Sequence, residues 1–160
     1  MRHFWICLAL ACSVLAFGAT SASAAANFHG TPTFTINNAG QLVCSGDVSG
    51  LGNVSSTTGS CTATSAADYQ CINNGGKNPA AGNKRTTTGV VSGSDTFPVR
   101  NGRTKGTVTL NPTGPGSFSC PGGQTLYLVG VCYSDITLNI GGATYSPSEP
   151  VCRNDLMVRQ

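Results

Sequence analysis

Cysteine supplies most of the chemistry this sequence could perform. Eight cysteines are present in 160 residues. Cys7 and Cys12 fall in an apolar N-terminal run, which leaves six farther along: Cys44, Cys61, Cys71, Cys120, Cys132 and Cys152. Thiols in such number bind metal, act as nucleophiles or pair as disulfides. Structural zinc sites draw on cysteines separated by about two to four residues, commonly with histidine. The closest pair here, Cys61 and Cys71, has nine residues between its members, and His29 is the one histidine beyond the N-terminal run. No metal and no other cofactor is expected. An even set of cysteines in an exported chain reads as a disulfide framework. Short spacing favours Cys61–Cys71 and Cys120–Cys132, which leaves Cys44 for Cys152.

The stretch CINNGGKNPAAGNK, residues 71–84, raises a second chemistry. Glycines near a lysine suggest a phosphate loop. That loop needs a lysine directly after its second glycine and a hydroxyl residue directly after the lysine. Here Asn83 separates Gly82 from Lys84, and Arg85 follows. A calcium loop needs several carboxylates at alternate positions, and the stretch has none. Asparagine and glycine accept the positive φ of tight turns. The segment therefore reads as an exposed loop tethered at Cys71. Its polar side chains, Asn73, Asn74, Lys77, Asn78, Asn83 and Lys84, are the candidate recognition surface.

Catalytic patterns are thin. No G-x-S-x-G elbow occurs, and a Ser-His-Asp triad would need His29 in the terminal segment. The acidic residues are Asp47, Asp68, Asp95, Asp135, Glu149 and Asp155. Only tertiary structure could bring two of them to the spacing of a glycosidase pair. No enzyme is expected. Tyr69, Tyr127, Tyr133 and Tyr145 are candidates for a sugar-stacking platform. Asn53-Val54-Ser55 is a glycosylation sequon, whereas Asn111-Pro112-Thr113 is excluded by its proline. Asn53 is the candidate acceptor, in the glycine-rich GLGNVSS.

The chain begins like an exported protein. Arg2 and His3 precede the apolar run FWICLALACSVLAF, residues 4–17, and the small residues ATSASAAA follow. That order is a signal peptide of residues 1–24, with cleavage as late as residue 26 as the next choice. The run is shorter than the ~20 residues of a spanning helix, so no membrane span is expected. Without the signal peptide, eight basic residues face six acidic ones, a net charge of +2. So near a balance gives no reason to expect a nucleic-acid partner.

Residues 25–160 then form one domain, expected as a monomer. Threonine, serine, valine, glycine and asparagine dominate, a mixture that favours strands and turns. TPTFTIN and SDITLNIGG alternate apolar and polar residues, as half-buried strands do. QLVCSGDV, SCTATSAADYQC and GTVTL read as further strands. TTTGVVSGSDTFPV reads as one or two strands broken at Gly93-Ser94, and TLYLVGVC as a strand separate from SDITLNIGG. NPTGPGS and CPGGQ are loops. Seven or eight short strands with such turns predict an all-β, disulfide-stabilised antiparallel sandwich, immunoglobulin-like by preference.

Four segments in order, GTPTFT, VCSGDVSGLGN, CINNGGKNPAAGNK and VRNGRTKGTVTL, resemble a family of small secreted β proteins of bacteria and filamentous fungi. Bacterial members often carry GCPN and a C-terminal tryptophan; this chain has SCPGG and no such tryptophan. Fungal members resemble apoplastic elicitors that trigger plant cell death. The resemblance implies a secreted effector that acts in the plant apoplast through a cell-surface receptor. The rival expectation is a non-catalytic module that binds a cell-wall polysaccharide.

Overall fold

The computed structural model describes residues 25–73 and 83–160. The expected signal peptide lies outside them. Ten strands follow in order: β1 (Asn27–Phe28), β2 (Thr33–Ile36), β3 (Leu42–Ser49), β4 (Ser56–Asn73), β5 (Lys84–Pro98), β6 (Arg103–Leu110), β7 (Gln124–Ile140), β8 (Ala143–Tyr145), β9 (Val151–Arg153) and β10 (Val158–Arg159). Among the described residues there is no α-helix, and so none long and apolar enough to cross a membrane.

The strands build two antiparallel sheets, the sandwich-like all-β class expected from the composition. In the first, β3 is central, with β1 and β2 along one edge and β6 along the other. In the second, β5, β4 and β7 lie side by side, and β8, β9 and β10 share the far edge of β7. Asn101 and Gly102, at φ 51° and 69°, turn the chain from β5 to β6 and so from one sheet to the other. Both central residues of such a turn need positive φ, which asparagine and glycine tolerate best.

Several strands are longer than the sequence suggested. β5 runs through Gly93-Ser94 without a break. Gly93 serves close packing: a methyl there would lie 2.9 Å from Leu110 Cδ2 and 3.2 Å from Thr109 O. The stretches read as two strands over residues 125–142 lie mostly in one strand, β7. Its inward residues are Leu128, Val131, Tyr133, Ile136, Leu138 and Ile140, all buried. Their spacing slips by one residue between Leu128 and Val131, and again between Tyr133 and Ile136. Those slips are β-bulges. Asp68 pairs with Gly130 but Tyr69 with Leu128, so Val129 is extra. Thr62 pairs with Thr137 and Thr64 with Ser134, so Asp135 and Ile136 stand against Ala63. Asp135 takes φ 50° to make that bulge. Each bulge returns the apolar set to the core face.

β4 contributes small inward residues to the core: Cys61, Ala63, Ser65 and Ala67. Larger side chains from neighbouring strands occupy the space above them. Phe97 shows how tight the fit is. Methyls added at Gly59 and Gly106 would each lie 2.6 Å from its Cε2. Buried polar groups are paired. Tyr69 Oη donates to Thr113 O at 2.8 Å, and Ser65 Oγ accepts from Thr113 N at 3.1 Å. Tyr133 Oη donates to Gly40 O at 2.8 Å.

All six cysteines are bridged, but not in the pairs that spacing favoured. The bonds are Cys44–Cys61, Cys71–Cys120 and Cys132–Cys152. Cys61 and Cys71 both point inward from β4. A strand rises about 3.4 Å per residue, so ten residues set them about 30 Å apart. Cys44 of β3 instead reaches Cys61 across the core and joins the two sheets. Cys71 lies near the end of its strand, beside the start of β7, where Cys120 approaches. Cys132 faces outward, directly opposite Cys152 on β9. The three bridges accord with an oxidising, extracellular compartment.

Non-reducing peptide mapping is expected to recover these three pairs; a Cys61–Cys71 peptide would contradict β4 as one strand. Gly106→Val is expected to overpack the Phe97 slot and cost about 1–3 kcal/mol in urea unfolding. Burial pushes the Tyr133 phenol from 10.0 up to about 12. Folding thus favours its neutral form. That contribution is whole below pH 10.0 and lost as pH rises through about 12. Tyr133→Phe should flatten this alkaline limb and, at neutral pH, remove a hydrogen bond worth about 0.5–1.5 kcal/mol.

Candidate functional site

The second sheet carries a cleft of about 360 Å³ near the end where β4 leads toward β5. Strand register assembles it. Gly130 of β7, Asp68 of β4 and Thr86 of β5 stand in one cross-strand row. The next outer row holds Tyr127, Gln70 and Lys84. Arg85 and Asn154 complete the walls.

Asp68 is the acidic group of this cleft. Thr86 Oγ1 donates to Asp68 Oδ1 at 2.5 Å, which fixes the carboxylate. Gly130 leaves the floor open. A methyl there would sit 3.3 Å from Asn154 Oδ1, 3.4 Å from Asp68 Oδ2 and 3.5 Å from Arg153 O. Three oxygens therefore crowd the space that a side chain at residue 130 would fill, which is why glycine suits this position. At the rim, Lys84 is exposed and has no ion pair among the described residues; Arg85, opposite the inward Tyr69, turns to the other face of β5.

Several other charges are committed to partners. Arg103 donates to both oxygens of Asp47, at 2.7 and 2.6 Å, and Lys105 lies 3.8 Å away. The Arg103 hydrogen bonds hold the Asp47 carboxyl below its ordinary range. Asp47 and His29 line a separate hollow on the first sheet. Arg153 pairs with Asp155 at 2.9 Å, and that hydrogen bond likewise lowers the Asp155 pKa. Arg153 also donates to Asn38 Oδ1 at 3.0 Å and so ties the C-terminal segment to the turn after β2. Asp95 accepts from the amide of Thr96 at 2.7 Å.

The candidate recognition residues divide. Asn73 ends β4, and Lys84 opens β5 and lines the cleft. Asn83 Nδ2 donates to Gln124 Oε1 at 3.1 Å. Asn74, Lys77 and Asn78 lie outside the described residues. Asn53 is exposed between β3 and β4, well along the chain from the cleft, and Val54 and Ser55 beside it are exposed too. The sequon is thus open to solvent. Of the tyrosines, Tyr69 and Tyr133 are core residues, and Tyr145 packs against Phe28 and Phe34 at centroid distances of 6.2 and 6.1 Å. Tyr127 alone is half-buried on the outer face of the second sheet, beside Gln70.

No family model, curated protein or solved structure matches this chain.

Asp68, Arg85, Gly130 and Asn154 come from β4, β5, β7 and the segment after β9, and no local motif joined them. The one hint was Gly130, a glycine inside the strand-like run TLYLVGVC, where close approach of a neighbour is a usual reason for glycine. Lys84→Ala with Arg85→Ala is expected to leave the urea midpoint within about 0.5 kcal/mol of the parent, as exposed substitutions usually do. A much larger loss would mean that the cations support the fold instead of only facing solvent.

Proposed function

We propose that this chain is a secreted effector-like elicitor, recognised in the plant apoplast through its folded surface and carrying out no reaction of its own. A plant cell-surface receptor is the partner. The observation that carries the reading is the anchored end of the second sheet. Cys71–Cys120 ties the end of β4 to the loop before β7, while Lys84, without an ion pair among the described residues, is exposed at the start of β5 beside it. A bridged surface of this kind loses little entropy when bound. Bridges that suppress local opening also slow the proteolysis met outside cells. The resemblance to apoplastic elicitors supplies the biological setting.

The cleft itself favours a second reading, a non-catalytic module for a cell-wall polysaccharide. Asp68, Gln70 and Asn154 along it suit sugar hydroxyls. Tyr127 offers an aromatic face in the adjoining row.

Purified protein infiltrated into leaves is expected to cause cell death or an oxidative burst, and a reduced and alkylated sample is not. Equal responses to both would move recognition to a linear epitope. Silence in several plant species, together with tight retention on chitin, cellulose or β-glucan, would replace the elicitor reading with the second one.

A further inference from the structure

We propose that β5 joins two copies of this chain edge to edge, in a two-fold dimer centred on Val90. The dimer stands in place of the monomer expected from the sequence, and it does not depend on what the Asp68 cleft binds. Among the described residues β5 pairs with β4 alone, so it forms one edge of the second sheet. An unpaired edge presents a row of backbone donors and acceptors to any other extended chain. Sheets usually blunt such an edge with short strands, a bulge, a proline or a lysine. The opposite edge of this sheet follows that practice, since β8, β9 and β10 divide it into strands of two or three residues. β5 does not. Its 15 residues keep register with β4 from Ser56 opposite Pro98 to Gln70 opposite Lys84, without a shift. Between Arg85 and Asp95 it carries neither a charged residue nor a proline. Val90, midway between them, is 80% exposed.

The side chains of β5 match its own antiparallel copy. Arg85 and Asp95 are exposed and have no ion pair among the described residues. They share a face, because they stand opposite Tyr69 and Gly59, which both turn inward. Directly opposed residues of two strands lie on the same face, so a two-fold axis between the copies falls on a residue and not between two. An axis at Val90 sets Arg85 of each copy opposite Asp95 of the other. It also sets Val90 against its counterpart and Thr88 against Ser92 on the outer face, and cross-strand pairs of these kinds stabilise a sheet. An axis at Gly89 would put Arg85 opposite Gly93, and an axis at Val91 would put it opposite Phe97. Neither pairs the charges. A parallel arrangement would bring like charges together. Opposite charges placed symmetrically about an apolar centre are what a strand needs to recognise itself, whereas an unrelated strand would have to reproduce the same pattern. Such a contact uses one patch on both copies and closes at the dimer.

The test is sedimentation velocity of the secreted, disulfide-intact protein over a range of concentrations. A monomer–dimer equilibrium is expected. Val90→Lys sets two ammonium groups against each other at the axis and should weaken the dimer at least about tenfold. Arg85→Asp and Asp95→Arg each place like charges opposite one another, and each variant alone should be monomeric where the parent is dimeric. Mixed in equal amounts, these two variants should form a heterodimer, because every such contact then joins opposite charges. Higher salt should weaken the parent dimer and the heterodimer alike. All three positions are exposed. Circular dichroism and the disulfide map identify any variant that fails to fold, and Val90→Lys still reads the contact if a charge variant does. A parent that is monomeric at every concentration overturns the proposal and leaves the edge to an extended segment of a different protein. A dimer untouched by Val90→Lys lies elsewhere on the surface and overturns it as well. Folded charge variants that stay apart when mixed overturn the register, and with it the axis at Val90.

Discussion

The pairing of β4 with β7 is the constraint from which the other features follow. β4 lies between β5 and β7 in the second sheet, and its Cys61 anchors the first sheet through Cys44. Because β4 turns small residues inward, the volume of the core has to come from its neighbours. β7 supplies much of it, and can do so only by slipping its register twice. With no bulge, period-two alternation from Leu128 would carry Val131 and Tyr133 to the solvent face.

The same slip builds the cleft. The bulge at Val129 sets Gly130 opposite Asp68, so a residue without a side chain faces the carboxylate. It also turns the Val129 carbonyl away from β4, where it accepts from the Leu156 amide at 3.1 Å. That bond, with β9 and the Cys132–Cys152 bridge, holds residues 153–156 along the sheet and brings Asn154 to the cleft wall. Packing and site are two consequences of one irregularity. Bulges recur beside functional sites because they re-aim side chains without ending a strand.

The disulfides divide the work of holding this arrangement. Cys44–Cys61 crosses the core, where both residues are fully buried. Cys71–Cys120 works with Ser65 and Tyr69 to bind the loop before β7 to the inner side of β4. Cys132–Cys152 pins a short outer strand. Each bridge restricts the unfolded chain, typically by about 2–4 kcal/mol, a large share of the ~5–15 kcal/mol by which small domains are stable. A core whose central strand turns alanine, serine and cysteine inward benefits from that support.

Local chemistry was enough to read the class of this protein. β-branched and hydroxyl residues, alternation around Phe34, Ile36 and Ile136–Ile140, and asparagine-glycine turns specify strands and reversals whatever their partners are. The six cysteines announced their oxidised state for the same reason, since number and compartment are properties of the chain. Three things required the fold. Strand length escaped because Gly93 looks like a break until Leu110 and Thr109 are seen against it. Disulfide partners escaped because sequence distance along an extended strand is spatial distance, so the near neighbours Cys61 and Cys71 are the pair that cannot meet. The cleft escaped because Asp68, Thr86 and Gly130 share a row only through register, and register is set by which residues the core must bury.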